Sequence, residues 1–396
     1  MPGPGKNMRL ANSPPVGYTG KNAIGRTAMK TADKPLGLYI HIPFCVRKCD
    51  YCAFYSRPGK EEEIEKYFSL LLWQLEEIKK EMKAPFHTVY IGGGNPGLLG
   101  WKRIGKILVS AFQYGRPKEV SIECNPENLD EDVVSLSGLV DRISIGIQSL
   151  DDEVLKTLGR RLDRKTNLRA LELLSRLPFR WNADIITAIP GESVETTLSD
   201  IREISSFGPG HISFYALTFE EGTPILSRLS PIGEEKEVEF LMEGWKLLED
   251  LGYRHYEVSN FAKKGEECLH NKVYWNLGQY IGLGPSAESA LGYREMVSMR
   301  NRESIEEYLS SPDFDCENLS IEETEEAYLL TSLRTSAGID KREYLTRFGK
   351  DFDSQYFPRL SLIPEDSYIN DKENFRVTEK GMLTLDSIIL SLSLAI

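Results

Sequence analysis

Three of the six cysteines in this chain fall within eight positions, at Cys45, Cys49 and Cys52. Thiolates spaced C-x3-C-x2-C, in a loop with no regular structure imposed on it, converge on one cubane iron–sulfur cluster; they hold three irons and leave the fourth open. Zinc is a rival reading. Structural zinc takes four closed ligands, and the nearby candidate for the fourth is His41, which the preceding strand directs elsewhere. A disulfide leaves an odd cysteine, and reactive or unremarkable thiols are the last alternative.

The elements around this loop explain how it would be held. It follows an apolar run over 36–42, and similar β-branched or aromatic runs recur at 87–93, 119–125, 141–149, 181–189 and 211–219. Helical stretches lie between them. The clearest is 61–83, where Ile64, Phe68, Leu71, Leu72, Leu75 and Ile78 form one apolar stripe. Alternation of strand and helix predicts a parallel sheet, and six such units predict an α/β fold of the incomplete (βα)6 barrel type, active at the C-terminal ends of its strands.

Further motifs fall at those ends. Gly92-Gly93-Gly94-Asn95-Pro96-Gly97 closes the second strand; its glycines let backbone approach a ligand, although a tight turn explains them as well. Glu123 ends the third strand, where a carboxylate accepts ribose hydroxyls or caps a helix. Cys124 beside it reads as a small packed residue. Arg160 is a pocket cation or a helix C-terminal charge. Asp184 interrupts an apolar run, so it must be paired or functional, because burying it alone is costly. His211 reads as a strand-start residue. Chemistry concentrates again at Cys268-Leu269-His270-Asn271-Lys272-Val273-Tyr274-Trp275. His270 is a candidate axial ligand for heme iron, with Tyr274 and Trp275 as flat faces for the macrocycle; its bland alternative is a hydrogen-bonded core histidine. Cys268 and His255 are rival ligands. The turn over 282–287 is a further close approach, expected near the cofactor.

The cysteine spacing, the lead-in Tyr39-Ile40-His41-Ile42-Pro43-Phe44 and Tyr51 before the last cysteine resemble radical S-adenosylmethionine (SAM) proteins. More narrowly, they resemble the family of oxygen-independent coproporphyrinogen III dehydrogenase and its relatives, the heme chaperones. The resemblance covers roughly 36–396 and implies a radical SAM barrel with a small, mostly helical C-terminal domain. It implies a 4Fe–4S cluster on Cys45, Cys49 and Cys52, with SAM chelated to the open iron. It also implies a SAM or substrate pocket drawn from Tyr39, Tyr51, Gly94, Asn95, Pro96, Glu123, Gln148, Arg160, Asp184 and Ala216. The H-N-x-x-Y-W string resembles the heme-chaperone motif and so implies heme at His270. Departures from the family pattern are Asn95 and Gly97, where Thr and Ser are usual, and Ala188, where Gly is usual.

Composition bounds the rest. The 396 residues, 41% hydrophobic, suffice for a large domain and a smaller one. A net charge of −12 argues against a nucleic-acid partner. No apolar stretch reaches the length of a membrane span, and a cytoplasmic location is expected, with membrane contact only through an acceptor protein. Residues 1–34, poor in acids and broken by proline, read as a disordered tail or as sequence upstream of a true start at Met29. The barrel and heme-motif extension are expected over 35–300. A polar linker near 301–321 then leads into a C-terminal domain, 301–396, with winged-helix character, expected to lid or buttress the barrel mouth. Three functions follow: a carrier that hands heme to an acceptor protein, a radical SAM dehydrogenase decarboxylating coproporphyrinogen III, and a radical SAM enzyme with another substrate. Phe54, where the dehydrogenase has a fourth cysteine, and an N-terminal tail unlike that enzyme's longer structured arm favour the carrier.

Overall fold

The computed structural model describes residues 34–82 and 84–393; apart from Lys34, the expected tail over 1–34 lies outside them. Six parallel strands lie side by side in chain order: β1 (Leu36–Ile42), β2 (Thr88–Gly93), β3 (Glu119–Cys124), β4 (Arg142–Gln148), β5 (Arg180–Thr187) and β6 (His211–Ala216). Each falls within three residues of the run expected for it. β4 is buried along its whole length and β1 at all but Tyr39, which is why both read as continuous apolar runs: a parallel strand in this layer has helices on one side and a filled lumen on the other.

The helices on the outer face are α1 (Glu61–Glu81), α2 (Trp101–Ala111), α3 (Asp152–Thr157), α4 (Arg164–Leu174), α5 (Val194–Ser206), α6 (Pro224–Arg228) and α7 (Glu234–Asp250). α1 buries Ile64, Phe68, Leu71, Leu75 and Ile78, five of the six residues of its apolar stripe. The side chains of Asp151, Asp163 and Ser193 accept from the first-turn amides of α3, α4 and α5, so each of these helices begins at a short polar residue.

The sheet continues past both ends of the six-strand unit. On one side the hairpin of β7 (Arg254–Glu257) and β8 (Asn260–Ala262) pairs with β6. On the other, β9 (Gln279–Leu283) runs parallel to β1, followed by antiparallel β10 (Glu288–Gly292), β11 (Met296–Asn301) and β12 (Phe314–Leu319). Among the described residues this is one open twelve-stranded sheet. A short helix, α8 (Leu269–Trp275), precedes β9, and the stretch expected as a polar linker near 301–321 holds helix α9 (Ile305–Ser310) and the edge strand β12. Its polarity is that of an exposed edge strand.

The C-terminal unit follows: α10 (Ile321–Ser332), β13 (Ile339–Asp340), α11 (Lys341–Phe348), α12 (Phe352–Leu360), β14 (Tyr368–Asn370), β15 (Asn374–Val377), α13 (Glu379–Met382) and α14 (Leu385–Ser393). Its three strands form a small sheet in the order β13-β15-β14. Its position is not the one expected. Arg347 of α11 bonds the carbonyls of Tyr293, Asn276 and Leu277, and Val258 N donates to Arg334 O at 2.8 Å. The domain thus packs against α8 and the β7–β8 hairpin. α8 in turn touches Thr88 and Glu119, the first residues of β2 and β3. The C-terminal domain closes the floor of the barrel rather than its mouth.

Candidate functional site

The cysteine loop leaves the C-terminal end of β1 and is pinned by its backbone. Cys45 N donates to Arg57 O at 3.1 Å, Asp50 N to Leu158 O at 3.1 Å, and Ile225 N to Asp50 O at 2.9 Å. The Asp50 carboxylate is paired with Arg228 of α6. Each tie comes from a different part of the chain, so the loop keeps its shape without regular structure. Burial, with the Cys52 and Cys49 thiols next to it, pushes the Cys45 thiol up to about 11, and burial raises Cys52 as well. Thiols in this state must lose protons to bind iron, so cluster assembly releases them. His41 takes no part: its Nε2 bonds Tyr55 O at 2.8 Å and its Nδ1 the Tyr39 hydroxyl at 3.0 Å. Among the described residues no three His, Cys, Asp or Glu side chains gather as they would around a single metal ion.

All three cysteines line a cavity of about 390 Å³ that runs from the loop down the barrel lumen. Tyr51, Gly94, Glu123, Gln148, Arg160 and Asp184 line it too, so most of the expected pocket is brought together. Gly94 lets the glycine loop lie on the cysteine loop: a Cβ there would be 2.7 Å from Phe44 O and 2.8 Å from Ile42 O. Gly92 makes room for Glu123, whose carboxyl carbon would be 2.8 Å from a Cβ at that position. Glu123 accepts from the Tyr90 hydroxyl at 2.8 Å and Gly93 N at 3.0 Å, and its burial pushes its carboxyl up to about 7. Arg160 reaches the Cys49 thiol at 3.8 Å and Asn125 Oδ1 at 3.5 Å, with another guanidinium nitrogen on Gly146 O.

Gln148 carries the clearest functional mark. It is buried, its φ is 68°, and its Oε1 has no hydrogen-bond partner. A non-glycine residue in the left-handed region is uncommon, and such strain clusters at ligand sites. Ala188, where the resembling family has Gly, also has a left-handed φ, 61°. Glu192 holds that turn by accepting from Ile189 N at 3.1 Å and Thr197 Oγ1 at 2.7 Å.

Four expected pocket residues stand outside the cavity wall. Asn95 bonds Asn128 Oδ1 at 2.6 Å and clamps the glycine loop to the end of β3, and Pro96 starts the buried turn beyond it. Tyr39 lies beside Tyr90, ring centroids 6.2 Å apart. On β6, Ser213 and Tyr215 face the cavity, so strand alternation turns Ala216 away. The turn over 282–287 is tied to Tyr308 and Asn301 and does not line the cavity.

Deeper in the lumen the sequence reading missed a polar network. Asn182 donates to Asp184 Oδ1 at 2.6 Å and Ser144 Oγ at 2.7 Å, and its own oxygen bonds His211 Nδ1 at 2.6 Å. These residues alternate along β4, β5 and β6, and that period-two spacing of polar positions was the available signal. Below them lies α8. Buried Glu119 accepts from His270 N at 3.2 Å and the Cys268 thiol at 3.5 Å, placing a carboxylate at the helix N-terminus. His270 is fully buried, with Nδ1 on Thr88 Oγ1 and Nε2 on the Tyr274 hydroxyl, both at 2.8 Å, and its ring stacked on Tyr90. Burial lowers it to about 3. Both ring nitrogens are engaged, so in this conformation His270 has no lone pair for iron. Cys268 is equally buried, and His255 is packed between Phe261 and Trp245.

A parallel six-strand barrel with a three-cysteine loop at the end of its first strand and a glycine loop at the end of its second defines a radical SAM protein. The radical SAM superfamily profile matches residues 39–204. The heme chaperone HemW of Escherichia coli is 31% identical over 90% of this chain and 97% of its own, and HemW of Buchnera aphidicola from Schizaphis graminum is 31% identical with the same coverage. A mitochondrial radical S-adenosyl methionine domain-containing protein 1 of mouse is 28% identical over 92% of this chain and 88% of its own. In fold, the chain is similar to coproporphyrinogen III oxidase (HemN) of Escherichia coli, with a TM-score of 0.80 at 20% identity, over 95% of this chain and 94% of that one. The chain belongs to the HemW family of the radical SAM superfamily. The cavity fits the 4Fe–4S cluster and SAM that this superfamily carries: three thiols stand at its rim, and Gln148 in its wall has a buried oxygen without a partner. Cys45, Cys49 and Cys52 would hold the cluster, and the cluster, when bound, would supply an electron to SAM.

Proposed function

We propose that this protein is a heme chaperone: it binds heme and passes it to an acceptor protein while carrying SAM on a 4Fe–4S cluster held by Cys45, Cys49 and Cys52. The observation that carries the reading is the match to the heme chaperones, which extends well past the barrel into the floor and C-terminal domain. In the SAM site, Glu123 takes the ribose hydroxyls, Arg160 and Gln148 take polar groups at the cavity wall, and the glycine loop receives the amino group. Tyr39, Asn95, Pro96 and Ala216 support that wall from behind. The protein works in the cytoplasm and meets a membrane only through its acceptor. Among the described residues no helix is long and apolar enough to cross a membrane.

The test is an anaerobic heme titration of the cluster-reconstituted protein, followed at the Soret band, with a Cys45→Ala/Cys49→Ala/Cys52→Ala variant alongside. Saturable one-site binding supports the carrier, and its absence refutes it. A triple variant that keeps full iron and sulfide refutes the ligand set. One observation supports a second reading, coproporphyrinogen III dehydrogenase: Gln148, in the cavity wall, has a left-handed φ and a side-chain oxygen without a partner. Formation of decarboxylated product from coproporphyrinogen III, SAM and a reductant would establish it.

A further inference from the structure

Of the five histidines, four have their rings committed. His41, His211 and His270 each bond through both ring nitrogens. His255 has Nε2 3.4 Å from Val258 O and its ring stacked on Phe261 at 4.1 Å. His87 differs. Among the described residues nothing bonds its ring, while its backbone is fixed by Leu36 O at 2.7 Å on one side and Lys118 N at 2.8 Å on the other. It stands at the N-terminal end of β2 and lines a cleft of about 320 Å³ on the barrel floor.

The cleft has the character of a heme site. Its walls include Leu269 and Val273 from the outer face of α8 and Tyr293 from the β10–β11 turn, with α11 of the C-terminal domain opposite. Lys34 and Lys272 lie at it, and neither has an ion-pair partner among the described residues; Lys34 stands 3.8 Å over the Tyr293 ring and Lys272 5.6 Å over the Tyr256 ring. The acid in the wall, Glu343, is occupied by the Tyr293 hydroxyl at 2.7 Å, and Arg347 is committed to three backbone carbonyls. Heme presents a flat apolar macrocycle, two carboxylates and an iron that takes a neutral imidazole. Apolar wall residues, two cations without an ion-pair partner among the described residues and one imidazole with no ring bond among them complement each of these.

We propose that heme docks in this floor cleft, with the His87 imidazole as axial iron ligand and Lys34 and Lys272 facing its carboxylates. This rests on the heme-carrier reading above. The H-N-x-x-Y-W helix then contributes its outer face, Leu269, Lys272 and Val273, while His270 holds the helix to the barrel from within. The cleft is open on one side, so the macrocycle edge stays accessible to an acceptor. It lies at the opposite end of the strands from the cysteines, so heme and SAM bind without competing.

The experiment is an anaerobic heme titration of the full, cluster-reconstituted chain, comparing the parent with His87→Ala, His270→Ala and Lys34→Glu/Lys272→Glu. In His87→Ala the Soret band shifts, affinity falls on the order of tenfold or more, and added imidazole restores the parent spectrum. The lysine variant weakens heme binding but not that of heme dimethyl ester, which has no carboxylates. His270→Ala lowers the denaturation midpoint and leaves the spectrum unchanged. An unaltered spectrum and affinity in His87→Ala overturns the proposal and leaves the carrier reading intact. So does a folded His270→Ala that loses the band while His87→Ala keeps it. A parent that fails to bind heme saturably overturns the carrier reading itself, and the site with it.

Discussion

Gln148 offers the sharpest test of the site, because its backbone and its side chain make opposite demands. At an ordinary negative φ, glycine in place of alanine lowers stability by about 0.4–1 kcal/mol through the freedom of the unfolded chain. At φ 68°, a Cβ costs about 1–2 kcal/mol in the folded state. Gln148→Ala and Gln148→Gly remove the same polar group and differ only in that Cβ. The glycine variant should therefore be the more stable by roughly 0.5–1 kcal/mol, the reverse of the usual order. Urea midpoints of the cluster-free protein, compared at equal transition slopes, measure the difference. Both variants should bind SAM about threefold to tenfold more weakly in anaerobic calorimetry of the reconstituted protein, the loss expected for one hydrogen bond. If alanine proves as stable as glycine, position 148 is not left-handed in solution. If SAM affinity is unchanged in both, the orphaned oxygen does not serve SAM.

Other expectations follow from neighbouring contacts. Gly94→Ala forces a Cβ to within 2.7 Å of Phe44 O and should cost about 1–3 kcal/mol in a denaturant series, with lower iron content after reconstitution. Asp50→Ala removes the pair with Arg228 that fastens the cysteine loop; because Arg228 is half exposed, the loss should be nearer 1–2 kcal/mol than that of a fully buried pair, read as a lower midpoint and poorer iron retention. Burial raises Glu123 and Glu192 from an ordinary 4.5 to about 7. The folded state therefore holds more protons than the unfolded one between those values, and stability contributed by the protonated carboxyls, complete below about pH 4.5, is lost as pH rises through 7. Glu123→Gln and Glu192→Gln should each flatten that slope in midpoints taken from pH 5 to 8, and an unchanged slope in both would refute the assignment.

What the sequence determined by itself is what neighbouring residues decide among themselves. Strand runs, the stripe of α1, the glycine loop and the C-x3-C-x2-C spacing are local patterns, since side-chain period and ligand spacing act over a few positions. That locality placed the barrel strands within three residues, and the family resemblance carried by those motifs singled out Gly94, Glu123, Gln148, Arg160 and Asp184, which line one cavity with Cys45, Cys49 and Cys52. The polarity near 301–321 misled for a related reason: an exposed edge strand and a linker have the same composition.

Tertiary structure decided the rest. His270 and Tyr274 are one helical turn apart whether that helix faces solvent, heme or the lumen; only the contact with Thr88, 182 positions away, settles that the ring faces inward. His87, unremarkable in its run, ends beside the cleft that α8 and the C-terminal domain wall on the barrel floor, with no bond to its ring among the described residues. Asp50 finds Arg228 across 178 residues, and the left-handed turn at Ala188 depends on Glu192 and Thr197 packed beneath it. Each of these turns on which buried polar groups satisfy one another once the chain closes, and no window of a few residues carries that information.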